Sequence, residues 1–139
     1  DIINALLNVK YNVALEKEID CFFHIGIDEM IGMKDMDVCT IFANTIDNAI
    51  EALRDVPPEK RKLSVKARYA PNGYFTYEIV NAKVNKIIEK KGAFLTGKED
   101  QKSHGFGIAS VRETVEKYNG MLDISYTEEE FRVVILIRV

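Results

Sequence analysis

At 139 residues the chain is long enough to bury the core of one domain without disulfide or metal staples. Its 47% hydrophobic and 29% charged residues are those of a globular protein. A formal charge of −3 and a pI near 5.5 exclude a general nucleic-acid binder, whose affinity comes from phosphate neutralisation, but leave room for a local pocket that holds one small polyanion.

The chain opens in helical rhythm and without Met. Ile2, Leu6, Val9 and Val13 recur at intervals of four, three and four, which predicts a helix over 2–17. That face carries no starting cap, so the sequence is expected to be a piece of a longer protein whose helix continues upstream. IDCFFHIGI predicts a buried strand over 19–27, with His24 as a packed strand residue. Cys21 and Cys39 lie in the apolar contexts CFF and VCTIF and read as small buried hydrophobes. No His/Cys cluster has zinc spacing, no apolar run is long enough to span a bilayer, and no signal peptide is present.

GMKDMD offers Asp35 and Asp37 as N-caps for a helix over 37–55, which DVPPEK ends by proline. KLSVKARY and YFTYEIV alternate across two faces around Ala70-Pro71-Asn72-Gly73 and predict a β-hairpin. Lys62, Lys66 and Arg68 fall on its solvent face. The stretch 83–104 is charged, spotted with glycine and without clear period, so it reads as one long irregular loop. GFGIASVRETVEKYNG predicts a helix entered through Gly105 and Gly107 and stopped at Asn119-Gly120. MLDISYT and FRVVILIRV predict a closing hairpin. This order implies an α/β fold: a two-layer α/β sandwich, with three helices on one face of a mixed, mostly antiparallel sheet.

Four places carry chemistry. In FANTIDNAIEAL, Asn44, Asn48 and Glu51 share one helical stripe with Asp47 beside it, opposite a core stripe of Val38, Ile41, Phe42, Thr45, Ala49, Ala52 and Leu53. The stripe is either a solvated face or a ligand face, where an Asn carbonyl oxygen suits Mg²⁺. In HGFGIAS the glycines serve either a tight helix entry or a close approach of backbone N–H groups to phosphate. Lys98, Lys102 and Ser103 are either solvated loop groups or contacts to outer phosphates. Asn81, ending the apolar strand of EIVNAKVN, is either a turn residue or a bidentate adenine reader.

The order of these pieces resembles the GHKL (Bergerat-fold) ATP-binding domains of gyrase, MutL and sensor histidine kinases. NTIDNAIEA is similar to the family's N box and HGFGIASV to its second glycine box, and the resemblance covers essentially the whole chain. It is strongest to the quorum-sensing sensor kinases related to the staphylococcal accessory-gene-regulator receptor. It implies ATP and Mg²⁺ as cofactors, Asn48 as the Mg²⁺ ligand, and Asn44 in support of metal and phosphates, with Asp47 adjacent. Gly105 and Gly107 would lie against the phosphates, and Lys98, Lys102, Ser103 and His104 would form the ATP lid. Asn81 falls where the wider family has the Asp of an Asp-x-Gly-x-Gly box, and NAKVN lacks both glycines.

Hydrolysing members have a Glu where this chain has Asn44, and an amide has no lone pair of useful basicity. The resemblance therefore implies a protein-histidine kinase catalytic domain with Asn44, Asn48 and Lys102 as catalytic residues. The phosphoacceptor histidine would lie outside the fragment, since neither His24 nor His104 is on an exposed helix face. Residues 1–17 would be the end of a dimerisation helix and 18–139 the catalytic domain. The intact kinase would be a membrane-anchored homodimer with this domain in the cytoplasm, passing phosphate to a response regulator. The alternatives are a nucleotide-binding interaction module without transfer activity, a GHKL ATPase, and an unrelated α/β sandwich without ligand.

Overall fold

Period-two alternation of apolar and polar residues in five segments builds one sheet with a single buried face. The computed structural model describes residues 1–27, 32–84, 88–90, 93–95 and 101–139, with side chains for 1–27, 32–84 and 107–139. In chain order the elements are α1 (Ile2–Glu16), β1 (Asp20–Gly26), α2 (Asp35–Leu53), a 3₁₀ turn (Pro58–Lys60), β2 (Lys62–Tyr69), β3 (Tyr74–Ala82), β4 (Ile88–Lys90), β5 (Ala93–Leu95), α3 (Gln101–Lys117), β6 (Met121–Tyr126) and β7 (Glu130–Arg138). The main sheet runs β1-β2-β3-β7-β6. β1 lies parallel to β2 across the α2 crossover, and every other pairing is antiparallel.

Leu63, Val65 and Ala67 of β2, Phe75, Tyr77 and Ile79 of β3, and Val133, Ile135 and Ile137 of β7 form the buried face. Val38, Ile41, Phe42, Thr45, Ile46, Ala49, Ile50 and Leu53 of α2 and Val111 and Val115 of α3 close the core over it. One polar chain crosses this core. Tyr77, 1% exposed, donates its hydroxyl to Thr45 Oγ1 at 2.6 Å, and Thr45 donates to the Ile41 carbonyl at 2.6 Å. Burial holds the Tyr77 phenol well above its ordinary pKa, with the Thr45 contact opposing.

At the start of α1 the Asp1 carboxylate accepts the Asn4 N–H at 2.9 Å. The structure departs from the sequence expectations in four places. α2 starts at Asp35, and neither Asp35 nor Asp37 caps it: the N-cap is Lys34, without a side-chain bond. His24 is exposed beside Phe22 on the outer face of β1, an edge strand covered on one face only. Two short strands, β4 and β5, pair antiparallel inside the expected irregular loop; three residues are too few for a period to register. Finally, α3 begins at Gln101, which puts Gly105 and Gly107 inside the helix instead of at its entry.

The C-terminal stop of α3 is as expected. Asn119, at φ 55°, takes the left-handed position, and Gly120 donates to Val115 O at 3.0 Å, while Asn119 donates to Glu116 O at 2.9 Å. A Cβ on Gly120 would lie 2.7 Å from Ile137 Cγ1, so the turn docks on β7 only with glycine there. α1 ends in the same motif with Glu18, at φ 59°, in the left-handed position.

Candidate functional site

The apolar stripe of α2 faces the sheet, which leaves the Asn44–Asn48 stripe pointing along the flank where α3 crosses. Both amides are half-buried. At Gly107 the α3 backbone comes so close that an added Cβ would lie 3.1 Å from Asn48 Oδ1 and 3.3 Å from its Nδ2. Two residue types singled out in the sequence thus meet in space: an amide on α2 and a glycine on α3. The helix interior uses Gly107 for closeness, at a cost of about 1 kcal/mol relative to alanine. Its N–H, the seventh of α3, lies beyond the four that a helix leaves open at its start, and that of Gly105 is the fifth. In this conformation neither glycine offers the free N–H expected of a phosphate cradle.

Asn81 is the penultimate residue of β3, on the same face as Phe75, Tyr77 and Ile79, and only 4% exposed. Its Nδ2 donates to the Ala82 carbonyl at 2.9 Å. The sheet therefore aims a buried amide toward the helix layer and fixes which of its ends is nitrogen.

Asp47 turns away from this flank. Its carboxylate meets Lys10 of α1 at 2.8 Å and is 57% exposed. Glu51, the last member of the stripe, pairs with Arg54. Lys98 lies outside the described residues, as do the side chains of Lys102, Ser103 and His104, whose backbone forms the first turn of α3.

One polar cluster escaped the sequence reading. Asp37 in the first turn of α2, 8% exposed, accepts from Lys117 Nζ at 2.7 Å and from the Tyr118 hydroxyl. Tyr118 in turn accepts the Lys34 N–H at 3.1 Å, serving as the cap that the α2 N-terminus lacks. Burial alone would raise the Asp37 carboxyl, but the hydrogen bonds from Lys117 and Tyr118 outweigh it and hold it below the ordinary carboxylate value. The Asp37 hydrogen bond raises Lys117 in return; burial and then Asp37 raise Tyr118. Partners 80 and 81 residues away leave no local signal. Elsewhere, burial followed by the charge of Asp20 pushes the Cys21 thiol up to about 11, in keeping with an inert, partly buried side chain.

This arrangement of sheet, helices and crossing is the fold of histidine kinase catalytic domains. It superposes on a mycobacterial sensor histidine kinase, MprB, with a TM-score of 0.69 at 14% identity, covering 98% of this chain and 95% of that one. The nucleotide-free catalytic domain of histidine kinase ThkA gives a TM-score of 0.69 at 19% identity, over 97% and 91% of the two chains. Full-length ShkA in complex with AMPPNP gives 0.69 at 15% identity, with 99% of this chain covering 30% of that one. Identities this low speak for the fold. No curated protein matches by sequence. The family itself is shown by a match to the GHKL domain over residues 33–138: the chain belongs to the GHKL domain family.

Proposed function

We propose that this domain binds Mg-ATP at the α2–α3 crossing and positions the γ-phosphoryl for transfer to a histidine supplied by another part of the same kinase. The observation that carries the reading is the meeting of Asn48 with Gly107, with Asn44 one turn away on the same half-buried stripe. The donor set fits the group: amide oxygens are hard, neutral ligands suited to a cation that takes the rest of its shell from phosphate and water. Asn48 would hold Mg²⁺ and Asn44 would support the phosphates beside it. A Mg²⁺ held there would supply neutralisation of the charge that develops on transfer.

Gly107 keeps side chains out of the space next to Asn48, and Gly105 is proposed for the same wall. Lys98, Lys102, Ser103 and His104 are proposed as phosphate contacts on their sequence positions, with Lys102 as the catalytic cation. Asn81 would read the base. With its Nδ2 tethered to the Ala82 carbonyl, the amide cannot exchange ends without setting two oxygens against each other. The free Oδ1 then suits the amino group of adenine better than the carbonyl of guanine. Asp47, paired with Lys10, would hold α1 alongside the nucleotide helix.

Transfer is favoured over hydrolysis because no base stands at Asn44 to activate water. The rest of the reading follows from the sequence resemblance: residues 1–17 as the end of a dimerisation helix, an intact homodimer anchored in the membrane with this domain in the cytoplasm, a response regulator downstream, and a place among quorum-sensing kinases. A nucleotide-binding module without transfer activity and an ATPase are the competing readings.

Calorimetric titration with a non-hydrolysable ATP analogue, with and without Mg²⁺, tests the site. Mg²⁺-dependent binding should fall roughly tenfold to a hundredfold in Asn48→Ala, and a GTP analogue should bind more weakly than the ATP analogue. No binding by folded wild type would sink the proposal. Supplying an acceptor helix bearing the missing histidine then separates a kinase, which forms phosphohistidine, from a module or an ATPase.

A further inference from the structure

Asp37 bonds Lys117 and Tyr118, while the Asn48 amide lies so near Gly107 that a Cβ there would stand 3.1 Å from its Oδ1. The first pair joins the start of α2 to the end of α3; the second joins the interior of α2 to the N-terminal half of α3. The two helices therefore run antiparallel and are pinned at two points. On α2 the points are 11 residues apart (48 minus 37), and on α3 they are 10 and 11 apart (117 and 118 minus 107). At 1.5 Å per residue each span is about 16 Å, so the contacts are in register.

The two pins differ in kind. The Asn48–Gly107 approach is one of helix backbone against a side-chain amide, a matter of van der Waals closeness. The other end carries a charge-assisted bond at 2.7 Å, a hydroxyl-to-carboxylate bond and the 3.1 Å bond from Lys34 N–H to Tyr118. A directional, charged contact fixes position along the helix axis, whereas apolar ridges between helices tolerate small slides. We propose that Asp37 is a positioning residue for the nucleotide site: by holding the Lys117–Tyr118 end of α3 it sets the register of α3 along α2, and so seats Gly107 against Asn48. The inference rests on the reading that Mg-ATP binds beside Asn48, and its test keeps the two apart.

The experiment compares Asp37→Ala, Asp37→Asn and Tyr118→Phe with Arg61→Ala, which loosens the same helix layer away from the crossing. Amide NMR spectra of the nucleotide-free protein follow the Gly107 N–H and the Asn48 side-chain amide, and calorimetry follows the Mg²⁺-ATP analogue. In protein that remains folded, the Asp37 variants should shift both resonances and weaken the analogue roughly tenfold. Tyr118→Phe should do the same to a smaller extent, and it supplies the answer if Asp37→Ala does not fold. Arg61→Ala should lower stability without moving either resonance or the affinity. Asp37 variants that behave like Arg61→Ala would overturn the positioning role and leave a merely structural contact. If wild type binds no nucleotide, the functional reading fails, while the resonances still decide whether Asp37 sets the register.

Discussion

Gly107 carries the most consequence per atom. Its lack of a side chain destabilises an isolated helix yet lets the α3 backbone sit on the Asn48 amide. Gly107→Ala should therefore separate stability from function. Alanine removes a helix penalty of about 1 kcal/mol, but its Cβ would lie 3.1 Å from Asn48 Oδ1, close enough to displace the amide. The expected outcome is a urea midpoint equal to or above wild type with Mg²⁺-ATP analogue affinity down roughly tenfold. Unchanged affinity would remove Gly107 from the site. Asparagine at 48 was legible as an unusual choice for a helix and glycine at 107 as a helix entry or phosphate approach; their partnership was not legible. The sequence suggested a glycine facing phosphate through its N–H, whereas the folded chain uses it as a gap between two helices.

Elements are held at their ends by contacts that cross between them. Arg61 sends Nε to Val56 O at 2.7 Å and its two terminal nitrogens to Lys17 O at 2.8 Å and Arg54 O at 3.3 Å. One guanidinium thus satisfies carbonyls at the C-terminal ends of both α1 and α2, where a cation also complements the helix dipoles. Arg61→Ala should cost about 2 kcal/mol in urea unfolding. Arg61→Lys should recover less than half of that, because a single ammonium cannot reproduce the planar fork. Full recovery by lysine would show that charge alone matters. The existence and type of the main elements were readable from period: α1, β1, α2, both hairpins and the stop of α3 at Asn119-Gly120 fall within a few residues of expectation. The start of α3 was not readable, because glycine marks helix ends in isolation and packing overrode it.

Across the whole molecule the Asp37 cluster links stability to pH. Its carboxyl is held below the ordinary 3.8, so its contribution is present above that value and fades as pH falls through the lowered one. Lys117 and Tyr118 are raised above 10.5 and 10.0, so their contribution is present below those values and is lost as pH climbs past the raised ones. The cluster should thus support the fold across the neutral range and fail at both extremes. The check is the urea midpoint of wild type against Asp37→Asn: the gap should be widest near neutrality, shrink as pH falls below 3.8, and shrink as it rises above 10.5. A gap independent of pH would assign the effect to packing.

The sequence by itself determined the layers. Hydrophobic periods of 2 and about 3.6 decide which face of each element is buried, and one buried face per element leaves a sheet covered by helices. The stripe of amides opposite the α2 core face and the buried amide ending β3 follow from those same periods. Only the tertiary structure decided which side chains meet. Asp37 reaches Lys117 and Tyr118, Lys10 reaches Asp47, and Gly107 reaches Asn48 because α1 and α3 each pack on α2 at one register over the same sheet. Contacts between residues tens of positions apart depend on that packing, and no local pattern of hydrophobicity encodes it.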